Sequence, residues 1–106
     1  MGICNPGPPP VYYQGQRDLQ NGRQRRQIGQ MEVNAGRMDK QQGMMQYEQG
    51  MREMANGNVA QGQRDMMMGQ ARMNQGQNEI NRGRMDKQIG RNQAQRGRRE
   101  MNAGYY

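Results

Sequence analysis

Glycine recurs at every seventh residue along almost the whole chain. It stands at 15, 22, 29, 36, 43, 50 and 57 and, after a phase slip of two, at 62, 69, 76, 83, 90, 97 and 104. The residue four places after each glycine is often apolar: Leu19, Val33, Tyr47, Met54, Met66, Met73, Ile80, Ala94 and Met101. Glycine and this residue alternate at 4-3 spacing, the a/d geometry of a coiled-coil seam with glycine on one core position. The residue just before the apolar one is mostly acidic (Asp18, Glu32, Asp39, Glu53, Asp65, Glu79, Asp86, Glu100), and the residue just after glycine is Arg or Gln in most heptads. Both positions flank the seam, where opposite charges are expected to choose partner and register. The remaining residues are mostly Gln, Arg, Met and Ala, all good helix formers, and β-branched residues, which favour strands, are scarce. The pattern predicts an all-α fold: an elongated glycine-heptad helical hairpin or rod, coiled-coil-like, with a disordered repeat as the alternative.

The period also reveals a duplication. Aligning residues 15–56 on 62–103 gives 22 identities in 42 positions, among them Gly36-Arg37-Met38-Asp39-Lys40-Gln41 repeated as Gly83-Arg84-Met85-Asp86-Lys87-Gln88. Four segments follow: a Pro-rich N-terminal tail (1–14), a first repeat of six heptads (15–56), a linker or turn (57–61), and a second repeat ending in Tyr105-Tyr106 (62–106). If Asn56-Gly57-Asn58 turns the chain, the repeats form an antiparallel hairpin, and the phase slip favours this over a straight rod.

Interior glycine carries a cost of roughly 0.8–1 kcal/mol relative to alanine, so six per repeat make each helix unstable alone. The folded reading therefore requires the glycine stripe to let a second backbone approach closely. The expected packing seam is Gly15, Gly22, Gly29, Gly36, Gly43, Gly50, Gly62, Gly69, Gly76, Gly83, Gly90 and Gly97, with Leu19, Val33, Met54, Met66, Met73, Ile80 and Met101. Arg26, Lys40 and Lys87 fall on the same seam and are expected to weaken it.

Composition narrows the chemistry. Only 31% of the residues are apolar, Phe and Trp are absent, and 13 residues are the flexible Met, which together exclude a conventional globular core. The mean hydropathy of −1.39 and net charge of +7 explain why disorder competes with the helical reading. The chain has no His, Ser or Thr, so it lacks hydroxyl nucleophiles of the Ser or Thr type and the usual near-neutral general base. The expectation is a non-enzyme with no catalytic residue, metal, cofactor or small-molecule substrate. Met44-Met45 and Met66-Met67-Met68 could offer thioethers to Cu(I), but seam and surface packing accounts for them better.

The tail carries two address signals. Gly2 after Met1 starts an N-myristoylation pattern and Cys4 is placed for a second acyl chain, although Pro6 replaces the usual Ser or Thr. Pro9-Pro10-Val11-Tyr12 fits the Pro-Pro-x-Tyr pattern of WW-domain ligands, read from a polyproline helix by its Pro9, Pro10 and Tyr12. This layout resembles that of membrane-associated viral or trafficking adaptors. No apolar run is long enough to cross a bilayer and no secretory h-region follows Met1; with a single cysteine, the expected location is intracellular, either free or membrane-associated through the tail.

Residues 15–61 carry seven Lys/Arg against five Asp/Glu, and 62–106 nine against four. The cluster Arg91, Arg96, Arg98 and Arg99 is a candidate anion-binding site for nucleic-acid phosphates or an anionic membrane surface. Two functional readings result. One is a structural or assembly protein whose glycine-seamed helices pack with each other or with a larger protein assembly, with the tail as a membrane tether. The other is a basic protein that binds nucleic acid non-specifically and folds on contact.

Overall fold

The computed structural model describes residues 10–103. Gly2, Cys4 and Pro9 of the two address signals, and Gly104, Tyr105 and Tyr106, lie outside the described residues. The fold is all-α: helix α1 spans Pro10–Ala55 and helix α2 spans Val59–Ala103, joined by one tight turn.

Helix α1 opens on Pro10, whose missing N–H falls where a helix has no acceptor for it and whose fixed φ suits a first helical residue. Val11 and Tyr12 continue the helix. The Pro10-Val11-Tyr12 part of the WW-ligand pattern is therefore helical, not the extended polyproline conformation expected of it.

The helix-to-helix turn is built from backbone hydrogen bonds. Asn58 N–H donates to the Glu53 carbonyl at 2.8 Å and Gly57 N–H to the Met54 carbonyl at 3.1 Å, the paired bonds of a Schellman ending. That ending needs a left-handed residue between them, and Gly57 supplies it with φ +97°. Asn58, a residue type favoured before a helix, then accepts the Gly62 N–H at 2.9 Å and starts α2. Gly57 keeps the seven-residue period but serves the turn and not the seam, and the phase slips after it.

The chain forms two compact units, a terminal unit of Met1–Gly29 with Met85–Tyr106 and a turn unit of Gln30–Arg84. In the turn unit, the helices meet at three glycine pairs, Gly36 with Gly76, Gly43 with Gly69 and Gly50 with Gly62. A methyl added at Gly50 would stand 2.6 Å from the Gly62 carbonyl oxygen, and one added at Gly62 would stand 2.5 Å from that of Gly50. No real Cβ tolerates such a distance, so the backbones approach to a separation only glycine permits. The close approach sets Cα hydrogens against carbonyl oxygens, a weak contact repeated at each pair. The residue four places after each glycine covers a glycine of the other helix: Ile80 over Gly36, Met73 over Gly43, Met66 over Gly50, Met54 over Gly62.

The terminal unit repeats the plan with Gly15 against Gly97 and Gly22 against Gly90, where Met101 covers Gly15 and Ala94 covers Gly22. All twelve seam glycines are buried. Val33, Ile80 and Ala94 are the buried hydrophobic residues among those described. Leu19, Met54, Met66, Met73 and Met101 are only half-buried. A two-helix layer this thin is held by close backbone packing more than by a side-chain core.

The cations on the seam do less damage than their charge suggests. The Cγ of Lys40 lies over Gly76 and the Cγ of Arg26 over Gly90. Each apolar stem does the packing while its charged head reaches outward, and Lys40 Nζ donates to Gln77 Oε1 at 2.9 Å. Among the described residues no helix is long and apolar enough to cross a membrane.

Candidate interaction surfaces

A helix turning once per 3.6 residues places the positions one and four after glycine on one side of the seam and the position three after it on the other. The two edges of the hairpin consequently differ in chemistry.

The edge at the third position collects the acids. In the turn unit Glu53 meets Asp65 and Glu79 meets Asp39; in the terminal unit Glu100 meets Asp18. Opposite charges do meet across the seam, at Arg25–Asp86, Arg72–Asp39 and Arg96–Asp18, but acids also face one another there, which the sequence pattern did not predict. The antiparallel arrangement brings the acidic row of one helix against the acidic row of the other, so carboxyl faces carboxyl. A hydrogen bond to Asp65, then loss of water, then the negative charge of Asp65 raise the Glu53 carboxyl above the ordinary value of 4.5, against a lowering contribution from Gln49. Glu79 is raised in the same way by Asp39. Loss of water is the main cause for Glu100, followed by its hydrogen bond to Asp18. Both carboxylate oxygens of Glu53 and one of Glu100 are shielded from water and receive no hydrogen bond while both acids of the pair are ionised, since a carboxylate can only accept. The acid–acid hydrogen bond thus needs a proton placed on one of the two carboxyls.

Three arginines soften this edge. Arg25 Nε stands 3.5 Å from Asp86 and Arg96 Nε 3.9 Å from Asp18 in the terminal unit, and Arg72 Nε stands 3.9 Å from Asp39 in the turn unit. These arginine side chains are about half exposed, so each bridge contributes at most about 1 kcal/mol. Among the described residues no group of three or more His, Cys, Asp or Glu is arranged to hold a metal ion.

The opposite edge differs between the units. In the turn unit it forms an open, mainly apolar groove of about 640 Å³, lined by Tyr47, Met54, Met66, Met67 and Ala71 with Gln and Asn at its rim. In the terminal unit it is basic. Arg23, Arg91 and Arg98 follow their glycines directly, while Arg26 and Lys87 occupy the fourth position.

The four arginines singled out from sequence separate accordingly. Arg96 is bound to Asp18 on the acidic edge, whereas Arg91, Arg98 and Arg99 are exposed and have no ion pair among the described residues. The pairing of Gly22 with Gly90 brings Arg23 and Arg26 beside Arg91, a combination missed from the linear sequence. The signal was present in the turn: folding the chain at Asn56 sets each glycine opposite the one that completes a constant sum of residue numbers.

The chain matches no family model, no curated protein and no solved structure.

Proposed function

We propose that this protein is a non-enzymatic structural or assembly element, a glycine-seamed helical hairpin that offers its outer surface to larger partners. The observation that carries this reading is the reciprocal contact of glycine pairs such as Gly43 and Gly69. Each repeat supplies the close-packing surface that the other requires, so the chain acts as its own seam partner. Assembly with other proteins then falls to the outward surface, where Met31, Met38 and Met45 are exposed at seven-residue spacing. Gly2 and Cys4 are the candidate membrane tether in this scheme.

Far-ultraviolet circular dichroism with sedimentation over a concentration series tests the reading. Helicity should persist undiminished on dilution, and the combined Gly36→Leu, Gly43→Leu and Gly50→Leu variant should lose it. A chain without helix at every concentration, or a variant that stays fully helical, overturns it. The second reading, a basic nucleic-acid-binding protein, is favoured by one specific observation, the uneven placing of charge between the two units.

A further inference from the structure

The fold sorts charge by unit more sharply than the sequence sorts it by half. The terminal unit holds nine Lys/Arg against three Asp/Glu, a net +6, whereas the turn unit holds seven against six, a net +1. The sorting continues within the terminal unit. Its three acids, Asp18, Asp86 and Glu100, all occupy the third position after glycine, where Arg25 and Arg96 bridge to Asp86 and Asp18. The other edge carries Arg23, Arg26, Lys87, Arg91 and Arg98 and no acid. Taking Gly22 as level with Gly90, these five cations fall within about 18 Å along the helix axis, at about 1.5 Å per residue. The four arginines among them have no ion pair among the described residues.

We propose that this edge of the terminal unit binds the phosphodiester backbone of duplex nucleic acid without reading its sequence. Four of the five cations are arginine, whose planar fork matches a phosphate's two oxygens. Arg26 is held in place, since its stem is packed over Gly90. The residues interleaved with the cations are largely Gln and Asn (Gln16, Gln20, Gln27, Gln88, Gln95, Asn102), which can donate to phosphate and sugar oxygens. Charge complementarity alone would also suit an anionic membrane. Surface-bound helices, however, need apolar side chains to insert, and among the described residues of this unit the exposed Val11, Ile28 and Met85 stand at the third, sixth and second heptad positions, off this edge, with Tyr13 alone at its end. A single strand would call for successive aromatic platforms. Among the described residues the edge has only Tyr12 and Tyr13 at its end, set edge-to-face against one another at 6.0 Å.

The test titrates a fluorescent 20-base-pair duplex with the full chain at 50 and 200 mM salt. Five phosphate contacts predict a loss of affinity of roughly 500-fold between the two conditions. The combined Arg23→Gln, Arg91→Gln and Arg98→Gln variant leaves the seam intact and should bind more weakly at 50 mM salt, with the salt effect shrinking to roughly 12-fold. The combined Arg37→Gln, Arg52→Gln and Arg64→Gln variant removes the same charge from the turn unit and should behave like the parent chain. Scrambling the duplex sequence should change nothing. Equal losses in the two variants, no loss in either, absence of binding at 50 mM salt, or tighter binding to phosphatidylserine vesicles than to duplex would each overturn the proposal. Circular dichroism of both variants separates lost contacts from lost folding.

Discussion

The carboxyl group of Glu79 lies against that of Asp39, an acid facing an acid across two helices of a protein with net charge +7. Arg72, 3.9 Å from Asp39, offsets only part of the repulsion. The same contact recurs between Glu53 and Asp65 and between Glu100 and Asp18. Repeated acid pairs at equivalent heptad positions follow from the duplication, because both repeats carry an acid there and run in opposite directions.

These pairs give stability a definite pH dependence. Glu53, Glu79 and Glu100 are all raised above 4.5 in the folded chain. The folded state therefore binds protons more readily than the unfolded one, and their contribution grows as pH falls from neutral through the raised values toward 4.5. The combined Glu53→Gln, Glu79→Gln and Glu100→Gln variant should melt higher than the parent at pH 7, with the gap closing by pH 4.5. Thermal melts of both proteins across that range measure the difference. A gap that is absent or widens on acidification would show that the carboxyl pairs do not oppose folding.

Gly43→Ala pits two effects against each other. Alanine gains about 1 kcal/mol of helix propensity. Its methyl would stand 2.6 Å from the Gly69 carbonyl oxygen and 2.8 Å from the Met73 nitrogen, and backbone atoms cannot yield as a side chain can. Overpacking of this kind costs about 1–3 kcal/mol, so a net loss is expected in urea denaturation. A rise in stability would mean that the helices separate at little cost.

Gly57→Ala destabilises for a different reason. Nothing lies within 4 Å of the added methyl, yet φ is +97°, and the left-handed region costs a residue with a Cβ about 1–2 kcal/mol. The loss should match Gly43→Ala in size while leaving the separation of the helices unchanged, which a spin-label distance between the helices would reveal.

Ile80→Ala removes a buried side chain from over Gly36. The opposing glycine has no side chain to fill the space, so the loss should fall at about 2–4 kcal/mol. A change below about 1 kcal/mol, the size of a surface substitution, would show that the glycine seam holds without its covering residues.

Lys40 offers a cleaner separation of stem from charge. Lys40→Ala exposes Gly76 and should destabilise by about 1–2 kcal/mol, whereas Lys40→Met retains an unbranched stem over the glycine and should recover most of the loss. Should methionine behave like alanine, the bond from Nζ to Gln77, and not the stem, is what matters.

The local elements were legible in the sequence. The seven-residue period and the helix-forming residues between the glycines point to helix and to the buried face of each repeat, and the phase slip after Gly57 favours a hairpin over a straight rod, because these depend on neighbours within two helical turns. Even the seam residues follow, since a glycine stripe has no use on a helix exposed to water. What the period could not give is which heptad of α1 faces which heptad of α2. That register is set by the Schellman bonds of Asn58 and Gly57, and a turn two residues longer would have matched different partners. The register sets Glu53 against Asp65 and brings Arg23 and Arg26 beside Arg91, from opposite ends of the chain. Charge acts through space over several ångströms, so its pattern emerged only once distant residues were brought together. The seam was written along the chain, and the basic edge was made by folding it.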